Sequence, residues 1–147
     1  MGAPSIEDRF AISDLFVRYT TALDAGDVET VVGCFTEDCS LESPVVGTFQ
    51  GRAGVREFAR HNVRYKEERG AQFRHVISNL KIDVEGDRAQ ASCYLLDFVT
   101  VDGKVHLLSP GQYDCDLVRT RDGWRFTRRL VILDYHFSLP GPAGTQH

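Results

Sequence analysis

Asp24, His75 and Tyr19 are the side chains whose types and positions could together move a proton. Asp24 stands in the stretch FVRYTTALDAGD, residues 16–27, at the finishing end of an apolar helical stripe. A carboxylate in a last helical turn opposes the dipole, and partial burial disfavours its charge a second time, so something must compensate. A histidine facing the same pocket does so. With Asp24 accepting from one ring nitrogen, the tautomer is set and the other nitrogen is free to take a substrate proton. His75, in QFRHVISNL, shares a strand face with Phe73, Ile77 and Asn79 and is the expected partner. Tyr19 precedes Asp24 by 5 residues, within the same helical end, where its hydroxyl can meet a substrate oxygen. Each has a plainer reading: Asp24 as a cap, His75 as a core histidine bonded to backbone, Tyr19 as one aromatic of the stripe.

Further polar handles follow from strand parity, with the condition that one bulge reverses every assignment beyond it. Asn79 closes the His75 face, and Leu80, Ile82 and Val84 take the opposite parity, which predicts a bend or bulge near Asn79. Cys93 and Leu95 oppose Tyr94 and Leu96; parity does not choose between these faces, and Tyr94 is carried as a candidate for substrate contact. Gly111, Tyr113, Cys115 and Leu117 alternate against Gln112, Asp114, Asp116 and Val118, which points Tyr113 inward. Trp124, Phe126 and Arg128 alternate against Arg125, Thr127 and Arg129. An inward Arg128 needs a carboxylate such as Asp97 or Asp116, or an anionic ligand, because an unpaired buried charge is costly.

Other chemistries find no support. His61, His106 and His136 form no metal-binding pattern, and HxxxH and HExxH are both absent. There is no P-loop and no GxGxxG, and neither Cys93 nor Cys115 has an adjacent base, so no cofactor or metal is expected. A net charge of -4 with dispersed basic residues argues against nucleic acid. Four cysteines without CxxC spacing, after a start with no export signal, read as reduced thiols in a cytoplasmic protein. No apolar run is long enough to span a membrane. Hydrophobic residues at 42% and charged residues at 26% fit a globular chain, and 147 residues without a composition shift predict one domain, 1–147.

The elements that must position these residues come in two blocks. Ser5 caps a helix whose Ile12, Leu15, Phe16, Tyr19 and Leu23 recur at helical spacing; Gly26 stops it, and Asp27 caps a short second helix, VETVVGCF. TEDCSLES and PVVGTFQG read as short extended pieces, and RAGVREFARHNVRYKEERG as a third helix. From Gln72 on, four long extended runs are separated by turns at EGD, DG and DG. This order predicts an α+β cone, a strongly curved antiparallel sheet wrapped around the three helices and enclosing a pocket. The tail SLPGPAGTQH is expected to be loose or to close over the pocket mouth.

The stretches AISDLFVRYTTALDAGDVETVVGCFTEDC, GTFQGRAGVREFARH, FRHVISNLKIDVEGDRAQASCY and YDCDLVRTRDGWRFTRRLV resemble the SnoaL-like branch of the NTF2-like superfamily. The resemblance covers roughly residues 6 to 137 and implies the NTF2-like cone. Its scytalone dehydratase, bile-acid dehydratase and hexachlorocyclohexane dehydrochlorinase groups pair an Asp at the end of the first helix with a His at the start of the first long strand, as a base. Asp24 and His75 match those places, and Tyr19 looks like the tyrosine of the bile-acid dehydratases. Arg128 or Arg129 matches a late-strand arginine of some members. The second histidine of scytalone dehydratase is met here by Cys93, Tyr94 and Leu95, and the dehydrochlorinase lysine by Arg18 and Tyr19.

The expected function is therefore a cofactor-independent lyase of dehydratase type, in which His75 and Asp24 abstract a proton from a small apolar or aromatic cyclic molecule with loss of a hydroxyl. An isomerase or polyketide cyclase would use the same base. A binding protein or accessory subunit without catalysis is the alternative from another class. A homo-oligomer, dimer or trimer, is expected; nucleic acid and membranes are not expected partners.

Overall fold

The computed structural model describes residues 2–135. Helix α1 (Ile6–Ala25) begins where the Ser5 side chain accepts the Asp8 amide, and buries Ile12, Leu15, Phe16, Tyr19 and Leu23 along one stripe. It ends at Gly26, whose φ of 76° lets the chain turn back without a Cβ clash. Asp27 then caps α2 (Val28–Gly33) by accepting from Thr30. Strands β1 (Phe35–Ser43) and β2 (Gly47–Gln50) lead to α3 (Gly51–Arg69), after which β3 (Gln72–Glu85), β4 (Arg88–Val101), β5 (Lys104–Thr120) and β6 (Gly123–Leu133) follow in succession.

The strands form one sheet in the order β2-β1-β6-β5-β4-β3. The long strands pair antiparallel with their chain neighbours, but β1 lies parallel to β6. The strongly curved, antiparallel cone expected from the sequence is therefore corrected: the sheet is mixed and open, with β2 and β3 at its edges rather than closed around the helices. The reason is general. Alternation of apolar residues reports which face of a strand is buried, not the direction of its neighbour, and no hairpin joins β1 to β6. The tail that was expected to be loose or to cover the pocket lies outside the described residues.

Apolar residues of one sheet face, among them Phe35, Leu41, Leu95, Leu117 and Phe126, pack with the α1 stripe, α2 and Val55 and Ala59 of α3 into the main core. A smaller cluster of Ala71, Phe73, Val99, Val101 and Leu108 gathers beside it, with Tyr65 packed against it. The far end of α1 is pinned through Asp8, which accepts from Arg119 and from the Trp124 indole. The Arg119 hydrogen bonds hold the Asp8 carboxyl down to about 2 against the opposing effect of burial. α1 is thus anchored to the sheet at its start, and its last turn is delivered to β3.

Candidate active site

Two elements meet at the end of α1. The Asp24 carboxylate receives the ring Nδ1 of His75 at 2.5 Å on one oxygen and the His75 main-chain amide at 3.0 Å on the other. Fixing both the backbone and the ring of one residue leaves the carboxylate little freedom. The Asp24 main-chain carbonyl, one of the orphan acceptors of a helix end, takes hydrogen bonds from Lys66 of α3 and Gln72 of β3. A cation absent from the last turn of α1 itself is thus supplied by α3. With Nδ1–H committed to Asp24, Nε2 carries the lone pair in the neutral ring, the tautomer a general base needs.

Nε2 does not face empty space. It lies 3.4 Å from Asp97 Oδ2, longer than a usual hydrogen bond, and Asp97 Oδ1 is buried without a hydrogen-bond partner among the described residues. Burial raises the Asp97 carboxyl to about 6, opposed by the charge of His75 and reinforced by that of Asp24. Burial alone would lower His75, but the Asp24 hydrogen bond and the Asp97 and Asp24 charges outweigh it, so the ring holds its proton above the ordinary value. A histidine between two carboxyls, one firmly paired and one raised, belongs to a pair that can exchange a proton near neutral pH.

Tyr19 and Tyr113 stand beside this pair. Both are buried, with ring centroids 6.2 Å apart and planes at 90°. Burial raises both phenols, and the Arg129 charge pulls each back in part. Arg129 is 0% exposed, and its guanidinium sits 3.9 Å from the Tyr19 ring centroid, 4.1 Å from Tyr113 and 4.4 Å from Phe126. Among the described residues, none of its three nitrogens has a hydrogen-bond partner. Cation–π attraction, about 0.5–2 kcal/mol per well-placed ring, is what offsets its desolvation.

His75, Asp97, Tyr19 and Tyr113 line one cavity of about 90 Å³, together with Asn62, Ser43 and the apolar side chains of Leu23, Phe58, Phe73, Leu95, Leu108, Val131 and Leu133. Val45 and Val46, in the turn between β1 and β2, complete its wall. Among the described residues, no group of three or more His, Cys, Asp or Glu gathers to hold a metal ion.

Three of the sequence candidates stand elsewhere. Asn79 is exposed, at a φ of 56° in the β3 bulge between Ser78 and Lys81; the bend expected there forms, and it turns Asn79 away from the cavity. Tyr94 is 58% exposed on the outer sheet face, because Cys93 and Leu95 take the inner one. Arg128 points outward too, 3.8 Å from Glu42 in an open groove that it shares with Asp114 and Asp116. Between Phe126 and Arg128, Thr127 is an extra residue opposite the step from Leu117 to Asp116, and this bulge puts Arg129 inside instead. Asp97, Asn62 and Ser43 were missed. For Asp97 the signal existed, a lone carboxylate in the apolar run YLLDFVTV at the parity of Cys93 and Leu95.

A family model described as SnoaL-like domain matches residues 4–130. The chain belongs to that family. Among curated proteins, the SnoaL-like chain is 28% identical over 134 residues to the uncharacterized protein Rv2910c of Mycobacterium tuberculosis, covering 88% of each. Among solved structures, an NTF2-like protein with a cystatin-like fold from Novosphingobium aromaticivorans matches with a TM-score of 0.79 and 29% identity, over 88% of this chain and 83% of that one. A candidate scytalone dehydratase from the same organism matches with a TM-score of 0.76 over 97% of both chains, at 22% identity, a likeness of fold.

Proposed function

We propose that this SnoaL-like protein is a cofactor-independent lyase of dehydratase type that acts on a small apolar or aromatic cyclic molecule. The observation that carries the reading is His75, held at ring and backbone by Asp24 while Nε2 faces an apolar cavity beside Asp97. His75 Nε2 takes the proton next to an electron-withdrawing group. The C–H electron pair forms the new double bond as the neighbouring C–O bond breaks, and protonated Asp97 gives the departing hydroxyl its proton, so that it leaves as water. Tyr19 steadies the oxygen on which negative charge develops. The candidate scytalone dehydratase of the same fold is consistent with this chemistry. The cavity, about 90 Å³, is smaller than the ~300–1,000 Å³ of most ligand pockets.

A second reading has its own support. Two groups 3.4 Å apart that can take and return a proton suit an isomerase equally well, with His75 removing the proton and Asp97 delivering one at a neighbouring carbon. Incubation of cyclic β-hydroxy and β,γ-unsaturated carbonyl compounds in heavy water separates the two by mass: elimination loses water, and isomerisation keeps the formula apart from deuterium taken up from the solvent. His75→Ala and Asp24→Asn are each expected to lower turnover by about 10²–10⁴-fold with the fold retained. Parent-like turnover in His75→Ala would overturn both readings. Binding of the same compounds by parent and variant, without exchange or product in either, would leave a binding protein.

A further inference from the structure

We propose that Asn62 and Ser43 form a second polar end of the cavity, which binds a hydroxyl group of the substrate remote from the carbon where His75 acts. This deepens the reading above by naming a second function on the substrate, and it rests on that reading only for which end reacts. The polar lining of the cavity falls into two sets across the sheet. His75 of β3, Asp97 of β4 and Tyr113 of β5 stand on adjacent strands. The next strand, β6, gives the wall only Val131 and Leu133, and beyond it β1 brings Ser43. An apolar strand thus separates Ser43 from the proton-transfer end.

Asn62 comes from α3, which spans the same gap from above. Four residues before it, Phe58 packs on Phe49 of β2 with ring centroids 5.7 Å apart, and four residues after it, Lys66 donates to the Asp24 carbonyl. Residues at that spacing share a helix face, so Asn62 stands between the β2 edge and the dyad, on the face turned to the cavity. It is half-buried in the cavity wall, and its side-chain amide has no hydrogen-bond partner among the described residues. The Ser43 hydroxyl accepts the Val45 amide at 3.3 Å and keeps its own proton to donate. Together the two side chains offer donors from both and one free acceptor, Asn62 Oδ1. A hydroxyl group can use both kinds, whereas an ether or a carbonyl uses only the donors. A carboxylate is not matched, because among the described residues no Lys or Arg lines the cavity. Once a ring has displaced solvent from this wall, an amide left unpaired is costly, so a ring without the hydroxyl is at a disadvantage. The substrate class that follows is a hydroxylated ring, with its reacting group at the His75 end and a free hydroxyl on the far side.

The test measures by NMR titration the affinities of cyclohexanone, 4-hydroxycyclohexanone and 2-hydroxycyclohexanone. The parent protein is expected to bind 4-hydroxycyclohexanone about tenfold more tightly than cyclohexanone. Asn62→Leu, close to asparagine in shape, should erase or reverse that preference while its affinity for cyclohexanone does not fall. 2-Hydroxycyclohexanone, whose hydroxyl stays beside the carbonyl, should bind Asn62→Leu no more weakly than the parent. Ser43→Ala should lose a smaller part of the preference. If Asn62→Leu does not fold, Asn62→Ala carries the same expectation. His75→Ala should keep the preference while losing turnover, so a failed base and a failed hydroxyl site give different results. A parent protein that binds cyclohexanone and 4-hydroxycyclohexanone equally, or binds neither, overturns the proposal, as does a folded Asn62 variant whose preference is unchanged.

Discussion

His75 lies between a carboxylate that orients it and a carboxyl whose burial works against ionisation, and the second arrangement has a measurable cost. Asp97 titrates at about 6 in the folded chain against an ordinary value of 3.8. A carboxyl raised on folding binds its proton more tightly in the native state. It therefore costs nothing below the unfolded value, and the penalty grows as pH rises, becoming complete above about 6. Asp97→Asn should raise stability at pH 8 by on the order of 2 kcal/mol and leave it nearly unchanged at pH 3, as followed by thermal melts at the two values. The same change should remove one limb of a bell-shaped pH–rate profile, since the two limbs belong to the His75–Asp97 pair. Asp24 and His75 were legible in the sequence because each stands at a place where its type is expensive without a partner. Asp97 left a signal, a lone carboxylate in an apolar run, but was missed because parity left the two faces of its strand undecided.

Bulges decide which side chains the strands present. Asn79 in β3 and Thr127 in β6 each interrupt the alternation; the first was foreseeable from a parity switch, and the second was not, since TRR carries no apolar residue to mark a switch. β5 and β6, which carry Tyr113 and Arg129, approach each other closely at Gly111. A Cβ built there would meet the Ile132 carbonyl oxygen at 2.2 Å, a backbone atom that cannot step aside alone. Gly111→Ala should therefore separate the strands locally and destabilise the protein by about 3 kcal/mol, measured by denaturant unfolding. In the same protein Tyr113 should lose its place beside Arg129.

The outer face of the sheet carries an apolar patch beside its polar groove. Val76 pairs with Leu96 across β3 and β4, and these residues, with Tyr94 and Leu107, are 39% to 58% exposed. The homo-oligomer expected from the sequence would cover this face, and exposed apolar patches mark such interactions. Sedimentation should show the parent above monomer mass, and Leu96→Glu with Tyr94→Glu should return it to monomer without loss of fold. Monomeric parent protein at high concentration would count against it. Among the described residues no helix is long and apolar enough to cross a membrane.

The three helices, the caps at Ser5 and Asp27 and the four long strands were determined by local sequence: periodicity, capping residues and turn glycines act within a few residues, and the cost of a carboxylate at a helix end marked Asp24 as a residue in need of a partner. The tertiary structure alone decided that β1 runs parallel to β6, that the sheet stays open, and that Arg129 rather than Arg128 is enclosed. Each of these depends on which strands become neighbours and where one extra residue is absorbed between them. Pairing energies are shared between segments far apart in the chain, and a single inserted residue inverts every side chain beyond it.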